Sequence, residues 1–205
     1  MNPAPETEEE KRLREAEERL FNDALRDGYL VVTAEPTPTK EVIDAAVREV
    51  QDLGGRWSPE HRGFNFMDGR GAACDVLFDS GHKYSDNRYL THLLGVPYNK
   101  RQPTIQGVAK MAQDTGRAPR ARIGPGRVMI WSAMDKTLNA DNGFFSVIKA
   151  SHKMTCRELT AATGLVQITL APGQAVIMDG NMGVEWAPPG GGLAMFKSIG
   201  KLEYD

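Results

Sequence analysis

Gly126–Thr155 reads GRVMIWSAMDKTLNADNGFFSVIKASHKMT, and after a polar interval Val166–Gly180 reads VQITLAPGQAVIMDG. Three apolar runs, Val128–Met134, Phe144–Ile148 and Ala175–Met178, are separated by turn chemistry at Asn139–Gly143 and Ala171–Gly173. Short β-rich runs bounded by Asn, Asp, Gly and Pro are the pattern of an antiparallel sheet that closes on itself. Barrels of this kind put small-molecule chemistry in their mouth. The residues lining that mouth therefore decide the function.

Upstream of this stretch, Thr7 and Glu10 form a capping-box pattern opening a highly charged helix, after a segment 1–6 expected to be disordered. Leu13, Ala16, Leu20 and Ala24 recur at three- and four-residue spacing, which predicts a peripheral helix laying one narrow apolar stripe on the barrel. A partner-binding helix is the other use of such a stripe. Tyr29–Val32 reads as a strand. Thr37-Pro38 offers an N-cap with proline in the first helical position, followed by a helix Lys40–Leu53 that buries Ile43, Ala46, Val47 and Val50. Between Arg56 and Arg101 the aromatics Trp57, Phe64, Phe66 and Phe78 are scattered among glycines, and only Tyr89–Leu94 reads as a short helix. Gln106–Ala112 is a predicted strand, Arg117–Arg127 a loop, and Leu193–Ile199 the closing strand.

The chain has 205 residues, a length that suits one domain (1–205) with a sizeable core. A net charge of -2 without a long basic run argues against nucleic acid or an anionic membrane as the main partner. The charged N-terminus is not signal-like and no run of about 18 apolar residues occurs. Two cysteines far apart, Cys74 and Cys156, suit reduced thiols. These features together predict a cytoplasmic protein.

The order of elements resembles the phytanoyl-CoA hydroxylase-like (PhyH) family of Fe(II)/2-oxoglutarate-dependent dioxygenases, including the fungal secondary-metabolite (meroterpenoid-type) oxygenases. The likeness is carried by LRDGYLVV (Leu25–Val32), by GRVMIWSAMDKTLNADNGFFSVIKASHK (Gly126–Lys153) and by LAPGQAVIMDG (Leu170–Gly180). It implies a double-stranded β-helix, the cupin-like jelly-roll barrel, mainly β with flanking α-helices.

The family's chemistry needs His-x-Asp and a distal His on one face of Fe(II), with open positions for 2-oxoglutarate and oxygen. It also uses an Arg to grip the far carboxylate of 2-oxoglutarate. The likeness places the His-x-Asp pair at Ala112-Gln113-Asp114, the distal His at Val184 beside Glu185, and the Arg at Leu193, with Lys197 the nearest cation. Only Asp114 keeps its residue type. Of the four histidines, His61, His82 and His92 precede the ligand positions without metal-ligand spacing, and His152 falls in a scaffold turn. The metal positions thus read as vestigial.

The leading reading is a non-catalytic subunit that pairs with an intact dioxygenase paralogue, or forms a homodimer, with Fe(II) and 2-oxoglutarate held by the partner and none by this chain. A second reading is a non-redox isomerase or cyclase in which Asp114, Asp179 and Glu185 supply acid/base groups and Trp131 and Trp186 shape the pocket. An active oxygenase with an atypical metal site using Asp114 and Glu185, and a small-ligand binding module, are further alternatives.

Overall fold

The structure, a computed structural model, describes residues 6–33, 37–53, 57–61, 63–67, 71–80, 87–100, 103, 105–113 and 120–201. The Met1–Glu6 segment falls outside these residues except for Glu6, whose carboxylate pairs with Arg14 at 2.9 Å.

Helix α1 (Glu8–Asp27) opens with the expected reciprocal cap between Thr7 and Glu10 and ends on left-handed Gly28. Its stripe docks differently from the sequence expectation. Ala24 is buried, whereas Leu13 and Leu20 are 60% and 57% exposed. Phe21 and Leu25 make the contact instead, so only the C-terminal end of the helix lies on the body.

β1 (Tyr29–Thr33) follows, then α2 (Lys40–Asp52), whose N-cap is Thr39. The N-cap expected at Thr37 is thus two residues early, and Pro38 precedes the helix. Segment 56–101 holds more regular structure than its scattered aromatics suggest: β2 (Trp57–His61), β3 (Phe64–Met67), α3 (Ala72–Ser80) and α4 (Arg88–Leu94). The Glu49 carboxylate of α2 accepts hydrogen bonds from the amides of Ala73 and Cys74, tying α2 to the start of α3. Cys74 is buried and Cys156 exposed, and neither is bridged.

The remaining elements are β4 (Ile105–Met111), β5 (Ala121–Arg122), β6 (Arg127–Ala133), β7 (Ser146–Ile148), α5 (Cys156–Ala161), β8 (Leu165–Gln167), β9 (Gln174–Asp179), β10 (Gly183–Glu185) and β11 (Leu193–Gly200). β5 lies within the segment expected to be loop. The apolar run Phe144–Ile148 contributes only its second half to a strand.

Two antiparallel sheets result, with strand orders β1-β9-β6-β11-β4-β3-β2 and β5-β10-β7-β8. From β4 onward the chain passes between them at every step except β7 to β8, which are neighbours in the smaller sheet, as in a jelly roll. Among the described residues the two sheets are separate ladders, linked by the bridge Leu138–Leu170, rather than one closed hydrogen-bonded cylinder.

Alternation along the strands divides the core into three clusters. Met129, Trp131, Val176, Met178 and Phe196 face the smaller sheet. Val128, Ile130, Ala175 and Ile177 face outward beneath α4 and the end of α1. Met67, Val108 and Met195 face outward beneath α2 and α3. The strands β6, β9 and β11 are therefore buried on both faces, which is why their sequences run almost continuously apolar.

Candidate functional site

The space between the two sheets is where a jelly roll can build a pocket. Here it is occupied by side chains. Trp131 is fully buried at its centre, with ring centroids 4.8 Å from Phe196, 5.1 Å from Phe64 and 5.6 Å from Phe145. Phe144 and Phe145 stack at 4.3 Å, and Phe145 meets Trp186 edge to face at 5.0 Å. Phe144 and Phe145 precede β7 and act as a plug, which explains why this apolar run is longer than its strand. The indole Nε1 of Trp131 has no hydrogen-bond partner. Each such ring pair contributes about 0.5–1.5 kcal/mol beyond its buried area.

The rim of this space is laced shut by backbone. After β10 the chain runs through Gly190-Gly191-Gly192. The Gly191 amide donates to the Met111 carbonyl at 2.9 Å, the Met111 amide to Gly192 at 2.8 Å, and the Gly192 amide to Asn142 at 3.0 Å. A Cβ on Gly190 would lie 2.5 Å from the Gln113 nitrogen, so the close approach of backbone to backbone requires glycine there. Trp186 packs over Gly63 in the same way, where a Cβ would meet the indole at 2.0 Å.

Against this geometry the expected positions separate. Ala112 is half-buried, its amide bonded to the Gly63 carbonyl at 3.0 Å, and Gln113 is exposed. Asp114 lies outside the described residues. Val184 points inward and is fully buried, paired with Val147 and Ala121. Leu193 faces outward onto the α2–α3 cluster, and the inward-facing residue next to it is Ala194, so the position opposite the interior lies one residue later than the likeness placed it. Lys197 also points outward, donating from Nζ to the Phe78 carbonyl at 3.3 Å.

Asp179 and Glu185, the two described carboxylates offered for acid/base work, do not converge. Glu185 stands on the face opposite Val184 and pairs with Arg120 at 3.2 Å, while Arg120 also donates to the carbonyls of Leu159, Thr160 and Ala162. Asp179 is on the outer face of β9, bonded to Lys201 Nζ at 2.7 Å and to the Asn181 amide at 2.8 Å. Trp131 and Trp186 do share the interior, as core rather than as pocket walls.

His152 is half-buried beside Gly28 and Met182, and burial pushes its imidazole below the ordinary value against an opposing pull from Asp179. His92 is exposed, its ring edge against Phe21. The side chain of His61 and all of His82 lie outside the described residues.

Iron with 2-oxoglutarate requires imidazole and carboxylate donors on one inward face and a cation beyond them. Of the positions that the likeness assigns and the structure describes, Ala112 offers a methyl group, Val184 an isopropyl group among apolar side chains and Leu193 an outward-facing isobutyl group, none of them a donor to iron or a cation. The donor set does not fit the group. Among the described residues, no three of His, Cys, Asp and Glu gather into a metal-binding cluster.

No protein-family model matches the chain, and no curated protein sequence does. Solved structures match over most of its length. SnoK, a non-haem alpha-ketoglutarate-dependent carbocyclase from nogalamycin biosynthesis, superposes with a TM-score of 0.60 at 9% identity, covering 89% of this chain and 83% of SnoK. HygX from Streptomyces hygroscopicus, solved with nickel, 2-oxoglutarate and hygromycin B, gives 0.60 at 9% identity, covering 91% and 87%. EctD from S. alaskensis, solved with 2-oxoglutarate and 5-hydroxyectoine, gives 0.59 at 16% identity, covering 98% and 78%. The chain therefore has the fold of the Fe/2-oxoglutarate-dependent oxygenases, and several of its structural neighbours come from secondary-metabolite biosynthesis. At these identities the likeness extends to the fold and does not single out the PhyH branch. No helix among the described residues is long and apolar enough to cross a membrane.

Proposed function

We propose that this chain is a catalytically silent subunit with the oxygenase fold, pairing with an intact dioxygenase paralogue in secondary-metabolite biosynthesis. The observation that carries the reading is the interior itself. The space between the sheets is filled by interlocking rings around Trp131, and Val184 stands fully buried where the likeness puts an iron ligand. The Fe(II) and 2-oxoglutarate belong to the partner. This chain contributes a rigid body of matching shape that stabilises the partner or completes the wall of its substrate site. The divergence of Asp179 and Glu185, each ion-paired on an outer face, supports this reading over acid/base catalysis within the chain.

Co-expression tests it. The chain is produced with and without an intact paralogue encoded in the same genome, followed by affinity purification and a turnover assay. The two chains are expected to elute as one complex, with paralogue yield or turnover higher in its presence. A paralogue equally soluble and active alone would overturn the proposal. So would a charge-transfer band on anaerobic titration of this isolated chain with Fe(II) and 2-oxoglutarate.

A further inference from the structure

A large concavity built from described residues lies beside the filled interior, against the helix-covered face of the seven-stranded sheet. Its volume is about 730 Å³. Small-molecule sites span about 300–1,000 Å³. It lies where α2, the start of β2, the ends of β4 and β11 and the 135–142 segment meet the glycine loop. The loop explains why the space exists. Gly190 and Gly192 must lack side chains to pass between β4 and Asn142, and Gly191, at φ +105°, has nothing within 4 Å of where a Cβ would stand. One wall is consequently bare backbone.

The other walls carry two kinds of group. Trp57 is half-buried with no ring partner among the described residues, and with Leu138 and Leu193 it supplies a flat apolar surface. Lys110 and Lys136 line the same space, both exposed, and neither ammonium is in an ion pair or hydrogen bond among the described residues. Asp135 offsets one of these charges, leaving a net positive groove on a chain whose overall charge is -2. The Gln51 amide, also without a partner, adds a neutral donor and acceptor.

We propose that this groove binds a small monoanion carried on a flat apolar body, of the aromatic or alicyclic carboxylate class. The acid group meets Lys110 and Lys136, the body lies on Trp57 and Leu193, and Asp135 or Gln51 takes a polar substituent. Charge complementarity selects the anion, and a volume of about 730 Å³ matches a small molecule. The groove borders the interior at Leu138 and the glycine loop, and its test on the isolated chain does not depend on the pairing proposed above.

Tryptophan fluorescence of the isolated full chain tests it, with 4-nitrobenzoate as probe and 4-nitrobenzamide as its uncharged counterpart. Trp131 and Trp186 are buried, so static quenching reports on Trp57. Saturable quenching by the carboxylate is expected, weaker with the amide and abolished in Trp57→Phe. Loss of charge-assisted contacts in Lys110→Glu/Lys136→Glu is expected to weaken binding by about tenfold or more. Lys136→Glu alone, in an exposed turn, gives a smaller shift in the same direction and guards against misfolding of the double variant. Amide chemical shifts of Gly190–Gly192 are expected to move with the same saturation curve. Linear, non-saturating quenching, equal response to acid and amide, or unchanged affinity in the lysine variants would overturn the proposal.

Discussion

The interior between the sheets and the first turns of α1 are opposite solutions to holding a segment in place. Inside, Trp131, Phe145, Trp186 and Phe196 gain their order from long-range packing. Residues 6–20 are exposed throughout and rest mostly on local forces, the Thr7–Glu10 cap and the Arg14–Glu6 pair, with a long-range tie from Glu18 to Arg88 of α4, whose guanidinium also stacks 3.9 Å above Phe21. Substitutions should be costly in one region and nearly silent in the other. In an oxygenase that keeps its pocket the interior would be the tolerant region, because space there is reserved for ligands.

Trp131→Ala offers the strongest test of this contrast. Truncating a fully buried aromatic at the centre of the cluster should cost about 3–5 kcal/mol, read from urea unfolding midpoints. A cost below about 1 kcal/mol would indicate a loosely filled interior able to open. Ser151→Ala comes next. The Ser151 hydroxyl donates to the Ile148 carbonyl at 2.5 Å and accepts from the Gly183 amide at 2.8 Å, fully buried. Its loss strands both groups and should cost about 1–3 kcal/mol by the same measurement.

A smaller effect concerns His152. Burial lowers its pKa from 6.5, so the unfolded state takes up the proton first as pH falls. The contribution is fully present above 6.5 and is lost as pH drops through the window just below it. Stability should decline on mild acidification, and His152→Gln should flatten that decline. The smallest effect is expected for Leu13→Ala and Leu20→Ala, each within about 0.5 kcal/mol in the isolated chain. Hydrogen exchange should find the amides of residues 8–18 fast and those of β6 slow. Protection of α1 that appears only with the paralogue present would mark it as part of the interface.

The sequence made the contrast only partly visible. β6 and β9 were legible because a strand buried on both faces is a short apolar run between turn residues, and the Asn139–Gly143 turn closes as expected on Gly143 at φ +91°. β3 was not read although Phe64-Asn65-Phe66 alternates with the strand period, because four residues beside a glycine are too short a run to establish it. α3 did carry a signal: Cys74, Leu77 and Phe78 follow helical spacing and are all buried. The outward turn of Leu193 could not be read, because one residue of register inverts a strand's faces. The groove at Trp57 had no sequence signature either, since it arises where five segments meet a run of glycines.

Burial of Val184 also limits how this protein can change. A histidine there would put a polar ring between Val147 and Ala121 in a cluster whose described inward side chains offer indole N–H groups but no carboxylate or carbonyl side chain to accept from the imidazole N–H. An unsatisfied buried polar group costs about 1–3 kcal/mol, a large share of a domain's roughly 5–15 kcal/mol margin. Space for it would require trimming a neighbour within the ring cluster, and that change alone opens a void. Each single step back toward a metal-binding interior is therefore downhill in stability before it yields any chemistry. The packing works as a ratchet, and exposed positions such as Gln51, Lys110 and Lys136, where substitutions cost little, are where new properties can accumulate.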